Sequence, residues 1–525
     1  MARHYVGGGR DQLFLLATSM RDWLDEGHLA WFMIDVVAAV DTSAFHARHR
    51  NDGPGRPAYN PEMMLALLFY AYGIGMRSSR RIEAACRTDA AFRVICANSV
   101  PDHATIARFV VDHEAAIEGC FVDVLRLCAA AGLVSVGTIA IDGTKVAADA
   151  ALDKNRPAEW IRDQVTRIVA EAAAADAAED DQEAMFGLGE LPGELATRSG
   201  RLARLQAALA QIEAAEAAAR AEADKTAEAA RVAAVDGRKL RGRKPADPHS
   251  ALARASADLL AAQVRIDAAV AQRAAKYASF AADAARNGVK MRGTAPGGMW
   301  RKERAELERG QRRVETARVA AAVPPAAVTA NVTDPDSRVM KTKTGFVQGY
   351  NCQAAVNEHQ IVIAAAVTQQ GNDCRQYQPM VDAAKAALAK TGITTPIGTV
   401  LADAGYWSEA NATSPGPNRL IATLKDYKQR RAARDLGTTI GPPPQDASTV
   451  EAMEHRLRTL DGAAIYAKRS HTVEPVFGNE KHNRGWRTFR RRGLPAASSE
   501  WALINTSHNL AKLFTHRATL AITAT

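Results

Sequence analysis

Three acids in this chain of 525 residues stand where their type and surroundings could carry chemistry. Asp142 and Asp403 each close a short apolar run and each precede a glycine-containing turn, Asp142-Gly143-Thr144-Lys145 and Asp403-Ala404-Gly405. In an open α/β sheet the carboxyl ends of strands are where ligands and catalytic groups collect. An aspartate before a glycine is also ordinary turn chemistry, so neither residue decides the matter alone. Glu474 is the third acid, and Lys481, nearly two helical turns on, shares its helix face. A carboxylate and a lysine so placed can equally be a solvated ion pair. Three carboxylates brought together would suit two Mg²⁺ ions about 3.5–4 Å apart, one activating a water or sugar hydroxyl and the other stabilising the leaving oxygen. Mg²⁺ takes oxygen ligands and keeps several waters, so a few carboxylates suffice. Arg484, Arg487, Arg490, Arg491 and Arg492 follow with Trp486 and Phe489 among them, which suits a nucleic-acid backbone or a solvated basic face.

The elements that must position these groups are legible from pattern. Val136–Ile141 alternates and is β-rich, predicting a strand that ends at Asp142, and Ile397–Ala402 predicts a buried strand that ends at Asp403. Gly345–Val356 and Gln360–Val367 read as strands joined through Asn357-Glu358-His359, a hairpin signal. Asp373–Lys390 reads as a helix and Leu420–Thr423 as a short strand. Helices are expected over about Val450–Leu460 and Ser499–Phe514, and after Thr472, with Thr472 as N-cap, Glu474 in the first turn and Pro475 tolerated there.

Before the first strand, Leu29, Phe32, Met33, Val36 and Val37 repeat at helical spacing, and Pro61 opens a second helix. Ser78–Arg87 and Asp89–Ala97 follow as helices, and Asp102 is an N-cap for one running through Phe109 toward Leu127. This suits a helix-turn-helix module or a plain helical bundle. From about Asp149 to Pro324 the chain turns alanine-rich, and Arg201–Val235 and Ala251–Ala285 lack internal Gly and Pro. Those stretches predict long helices in a thin projecting arm, either a spacer or a grip on DNA. The organisation expected is an N-terminal helical domain over 1–133, an α/β domain over 134–150 and 325–515, and a helical insertion over 151–324.

Composition narrows the class. Lys plus Arg number 67 against 58 for Asp plus Glu, a net charge of +9. Hydrophobic residues make up 47% and charged residues 24%, which excludes a wholly disordered chain. Leu13–Leu16 and Ile361–Val367, among the longest apolar runs, are far short of the ~18 residues a membrane helix needs. The scattered cysteines Cys86, Cys96, Cys120, Cys128, Cys352 and Cys374 contain no CxxC pair, so a reducing, cytoplasmic setting is expected.

Together, Ile141-Asp142-Gly143-Thr144-Lys145, Leu401-Ala402-Asp403-Ala404-Gly405-Tyr406-Trp407 and Tyr466-x-x-Arg469…Glu474…Lys481 resemble bacterial insertion-sequence transposases of the DDE class. The likeness is to the group with a tyrosine–arginine–glutamate–lysine signature on its last catalytic helix. Gly55-Arg-Pro-Ala-Tyr-Asn-Pro, Ser78-Ser-Arg-Arg-Ile, Pro101-Asp-His-Ala-Thr-Ile-Ala-Arg-Phe, Met340-Lys-Thr, Gly345-Phe-Val-Gln-Gly-Tyr-Asn and Ser507-His-Asn-Leu share it. The resemblance implies an RNase H-like catalytic domain in an α/β chain, with an N-terminal all-α module and the Ala-rich insertion after the first strand. It implies Asp142, Asp403 and Glu474 as the catalytic, metal-binding triad for two Mg²⁺ or Mn²⁺ ions. Lys481 would hold the scissile-strand phosphate, Tyr466 and Arg469 would touch the same backbone, and Trp407 would stack on an unpaired base or simply pack in the core.

The activity implied is cleavage at transposon ends and joining of the 3′-hydroxyls to target DNA. An RNase H-like nuclease or resolvase and a decayed, non-catalytic DNA-binding protein are the alternatives. DNA is the expected partner, as terminal inverted repeats and target, bound by a homodimer on paired ends. Arg77, Arg80, Arg81 and Arg108 are candidates for end recognition, with Arg484 in the basic run after Lys481. The arm adds Arg238, Lys239, Arg241, Arg243 and Lys244, a phosphate-gripping loop whose Arg-Lys-Pro departs from the Gly-Arg-Pro core of a minor-groove hook. The family pattern has three residues between the arginine and the glutamate, whereas Ser470, His471, Thr472 and Val473 make four here. On a continuous helix the extra residue would rotate Arg469 by about 100°, so Arg469 is expected in a loop before a helix that starts at Thr472. Asp373 and Glu480 are the acids to compare with the three.

Overall fold

Strand β1 (Thr138–Ala147) organises the sheet because its alternating residues bury on both faces. Ile139 and Ile141 enter the larger core, while Ala140 enters the smaller one with Leu401, Leu420, Val473 and Val476. In the computed structural model the described residues are 19–47, 58–176, 197–238, 247–290, 298–322, 328–424 and 435–523. The main sheet runs β4 (Arg338–Thr342), β5 (Gly345–Asn357), β1, β7 (Thr399–Ala402), β8 (Asn418–Ile421), with β6 (Val362–Thr368) also paired to β5. β1 is antiparallel to β5 and parallel to β7, and β7 is parallel to β8. This mixed sheet, with helices on both faces, is consistent with an RNase H-like DDE domain.

Asp142 does not end its strand. β1 continues to Ala147, because the long β5 carries the ladder on from Asp142↔Ala354 to Ala147↔Gly349. What ends at Asp142 is the parallel pairing, whose last pair is Ile141↔Ala402. The helix expected over Asp373–Lys390 begins as a 3₁₀ turn, Asp373–Gln376, before α-helix Tyr377–Lys390.

The N-terminal helices are Leu29–Ala38, Pro61–Gly73, Ser79–Thr88, Ala90–Ile95, His103–Asp112 and Glu114–Ala130. Asp102 caps its helix by accepting from Thr105 N at 2.9 Å. That helix stops at Asp112 instead of running on to Leu127. The buried His113 ring packs on Phe109 and Phe45, and its backbone leaves helical values. Phe32, Leu65, Phe92 and Val124 join the same core as Ile139, Tyr350 and Leu510. The N-terminal helices and the sheet fall in one compact unit, Met1–Lys154 and Thr333–Thr525.

A second unit spans Asn155–Val332. Its two ends pair as a small antiparallel sheet, β2 (Asn155–Pro157) with β3 (Thr329–Asn331). Its helices include Ala158–Asp176, Arg198–Val235, Pro248–Arg286 and Arg301–Ala322, with Thr197 and Asp247 capping two of them. Small residues dominate the inner faces, among them Ala208, Ala230, Ala234, Ala261 and Ala262. No helix among the described residues is long and apolar enough to cross a membrane.

Gly349 lets β5 approach β1, since a Cβ there would lie 2.2 Å from Val146 O. Gly349→Ala should force the two strands apart and cost about 1–3 kcal/mol of unfolding free energy in urea titration. A variant as stable as the parent would show that the ladder yields freely at this point.

Candidate catalytic site

Asp142 and Asp403 are each the first residue past the last parallel pair, Ile141↔Ala402. Neighbouring strands lie about 4.8 Å apart, so the register sets the two acids side by side. Alternation sends both toward the face that carries Ala140 and Leu401, which the helix Arg469–Gly478 covers with Val473 and Val476. Asp142 Oδ1 accepts from Gly143 N at 2.8 Å, and Asp403 Oδ1 accepts from Gly405 N at 2.7 Å. Asp403, Ala404, Gly405, Ala422, Leu424, Tyr466 and Arg469 line a cavity of about 350 Å³.

Arg469 is the hub of this arrangement. Its Nη2 donates to Asp142 Oδ2 at 2.6 Å, and its Nη1 donates to Glu474 Oε1 at 3.0 Å. Contrary to the expected loop, Arg469 opens the helix, and Thr472 lies inside it, buried, with Oγ1 donating to Lys468 O at 2.7 Å. Five positions apart, Arg469 and Glu474 point about 140° from one another. The long guanidinium arm closes that gap, so the extra residue does not separate them. Pro475 falls mid-helix and cannot donate to the His471 carbonyl; Gln360 Nε2 does so instead, at 2.8 Å.

The electrostatics follow from burial. Burial pushes the Asp142 carboxyl up to about 6, opposed by the Arg469 guanidinium and reinforced by Asp403 and Asp373. Burial alone would lower the Arg469 pKa, but Asp142, Tyr466, Asp403 and Glu474 raise it overall. Among the described residues, no three His, Cys, Asp or Glu side chains are grouped to surround one ion. The three acids instead gather about Arg469. The donor set nevertheless suits a hard divalent cation, being all carboxylate oxygen, with Asp142 and Asp403 side by side at the strand ends.

Asp373, a comparison acid at the sequence level, lies in this neighbourhood. Its Oδ1 accepts from Lys145 Nζ at 3.1 Å, Asn351 Nδ2 at 2.7 Å and Gln353 Nε2 at 2.9 Å. It fits because Gly143 has no side chain, a Cβ there being 2.6 Å from Asp373 Oδ1. The buried Tyr406 hydroxyl donates to Gln353 Oε1. The alternation of polar Asn351 and Gln353 along β5 is the sequence signal for this support.

The remaining candidates divide between surface and interior. Tyr466 is half-buried and donates to Ala402 O at 3.3 Å, and Trp407 is half-buried against both cores. Lys481 sits in a π-helical turn (Asn479–Asn483), with Nζ donating to Lys145 O at 2.8 Å and burial lowering its pKa. Arg484 turns inward over the Trp486 ring and donates to Ser507 Oγ, and Trp486 and Phe489 are core residues, so the basic run is not a uniform outward face. Arg77 is likewise a buried tie, donating to Thr488 O at 2.7 Å and pairing with Glu500. Arg80, Arg81 and Arg108 are exposed. Arg238 is exposed and pairs with Asp236 at 2.6 Å, while Lys239, Arg241, Arg243 and Lys244 lie outside the described residues.

Glu480 is buried with neither carboxylate oxygen bonded, and burial pushes it up to about 8 from 4.5, against the pull of Arg484 and Lys481. With the folded pKa raised, the group's full stability is present below about pH 4.5 and is lost as pH rises through about 8. Glu480→Gln should therefore gain on the parent by a few kcal/mol between about pH 5 and pH 9, read by urea unfolding at each pH. A difference independent of pH would remove this assignment.

Residues 18–112 match the family described as Transposase domain (DUF772), and residues 428–514 match Transposase DDE domain. The second match contains Tyr466, Arg469, Glu474 and Lys481, while Asp142 and Asp403 lie outside both. No curated protein and no solved structure matches the chain. Two segments of the chain are thus similar to transposase domains, the second of the DDE type.

Proposed function

We propose that this chain is a DNA transposase that cleaves at the ends of its element and joins the freed 3′-hydroxyls to target DNA. The observation that carries the reading is the placement of Asp142 and Asp403 at equivalent positions of parallel strands, with Glu474 tied to Asp142 through Arg469. The two transposase domains point to DNA transposition, and a DDE domain implies catalysis on DNA.

Asp142, Asp403 and Glu474 would hold two Mg²⁺ or Mn²⁺ ions, which when bound supply activation of the attacking oxygen and stabilisation of the leaving one. Arg469 holds two of the acids in place and offsets their mutual repulsion. Lys481, anchored on Lys145 O beside β1, offers a point charge for a strand phosphate. Tyr466 fixes the end of β7 next to Asp403. Terminal repeats are read elsewhere, since such a site grips backbone rather than base edges; exposed Arg80, Arg81 and Arg108 are the candidates, on a homodimer that pairs two ends.

Asp142→Asn, Asp403→Asn and Glu474→Gln should each lower Mg²⁺-dependent cleavage of end-bearing DNA by at least about 100-fold, with DNA affinity retained. Cleavage that survives any one of these changes would remove that residue from the catalytic set.

A further inference from the structure

The helix Arg301–Ala322 has a polarised surface that the catalytic reading does not use. At about 100° per residue, Arg301, Lys302, Arg309, Arg312 and Arg313 fall within a ~120° arc that contains no acid. All five are exposed, and none forms an ion pair among the described residues. Ala305, the other residue of the arc between Arg301 and Arg313, has a short side chain that leaves the cations prominent. The packed face lies beyond the other edge, where Glu306, about 20° past Arg313, binds Arg265 at 2.8 Å and Glu303, further round, binds Arg273 at 2.9 Å on the neighbouring helix. The inward acids are thus neutralised within the unit and the outward bases are not. Glu308 and Glu315 border the arc on one side, and Glu315 is engaged by Arg318 at 3.4 Å.

A second observation lies at the start of this helix. Trp300 is 49% exposed, with Lys302 Nζ 5.1 Å and the Arg273 guanidinium 4.2 Å from its ring centroid. Trp300, Arg301, Lys302, Ala305 and Arg309 line an open groove of about 570 Å³. Cations interleaved with an accessible aromatic are what a nucleic-acid backbone engages. From Arg301 to Arg313 the stripe is about 18 Å long, at ~1.5 Å per residue. One DNA strand presents about five phosphates over that length, at ~3.4 Å of helix axis each.

We propose that this stripe is a docking surface for the sugar–phosphate backbone of duplex DNA, independent of base sequence. The proposal rests on the reading of the chain as a DNA-acting enzyme and assigns the insertion a share in holding the substrate. Each cation that meets a phosphate releases a condensed counterion, so five contacts add about 4.5 to the slope of log affinity against log salt. Between 50 and 200 mM salt that is about a 500-fold loss of affinity carried by the stripe.

The test uses the full chain and a duplex of about 30 base pairs of arbitrary sequence, with anisotropy titrations across that salt range. Replacing Arg301, Lys302, Arg309, Arg312 and Arg313 by Gln should flatten the slope by about 4.5. A charge-matched control, with Arg220, Arg231, Lys276, Arg286 and Arg318 replaced by Gln, should change it by less than about one. Lys302→Gln and Arg312→Gln alone, each flattening the slope by about one, carry the test if the fivefold variant does not fold. A slope equal to that of the parent, or equal loss in the control, overturns the proposal. So does a stripe variant that keeps its DNA slope but loses binding to polyglutamate, which would mark an acidic peptide as the occupant. A parent chain that binds no duplex at all would bring down the functional reading itself.

Discussion

The arrangement depends on a parallel ladder of four residue pairs, Thr138–Ile141 against Thr399–Ala402. Each strand is buried on both faces there, so register is held by two cores at once. A slip of one residue would exchange Ile141 for Asp142 in the larger core and turn the carboxylate away from Arg469. That penalty, a charged group moved into apolar packing, keeps Asp142 and Asp403 level with each other. It also makes the acids insensitive to what lies between them in sequence, since an entire second unit, Asn155–Val332, intervenes without disturbing the pairing.

Arg469 solves a problem that this register creates. Two carboxylates side by side, one of them buried, repel each other and lose hydration. A guanidinium that donates to Asp142 and Glu474 restores the balance with paired, directional bonds. The helix bearing it is shaped by compromise. Pro475 lies in its interior, and Gln360 supplies the donor that proline lacks. The turn just beyond relaxes to π geometry as it brings Lys481 against β1. On the reverse of the sheet, Asp373, Asn351, Gln353 and Lys145 form a hydrogen-bonded floor beneath Gly143.

The second unit is built on different terms. Its helices meet through alanine, which buries little area per residue, and the cross-helix pairs Arg273–Glu303 and Arg265–Glu306 supplement that packing. Using acids inward leaves an excess of arginine and lysine outward on Arg301–Ala322. Charge there is a by-product of how the helices pair as much as of the net composition.

Local chemistry was legible in the residues themselves. The alternation of Val136–Ile141, the hairpin about Asn357-Glu358-His359, the Asp102 cap and the long Gly-free helices each follow from interactions within a few positions. Asp142 and Asp403 stand out because apolar runs ending in them are local signals, while their grouping with Glu474 as a triad came from the resemblance of the motifs around them to the DDE class. What the chain text could not decide were matters settled between distant segments. β1 outruns Asp142 because β5 is long enough to pair with it; the Glu474 helix starts at Arg469 because Asp142 offers that guanidinium a buried partner. Arg77, Arg484, Trp486 and Phe489 point inward, although their sequence neighbourhood reads as a basic surface, because cores formed from other parts of the chain receive them. Asp373 joins the floor of the site because a missing side chain at Gly143 leaves it room. Sequence by itself determined the elements and the kinds of chemistry available; tertiary packing decided which charges meet, since desolvation and hydrogen-bond geometry are properties of neighbours in space rather than along the chain.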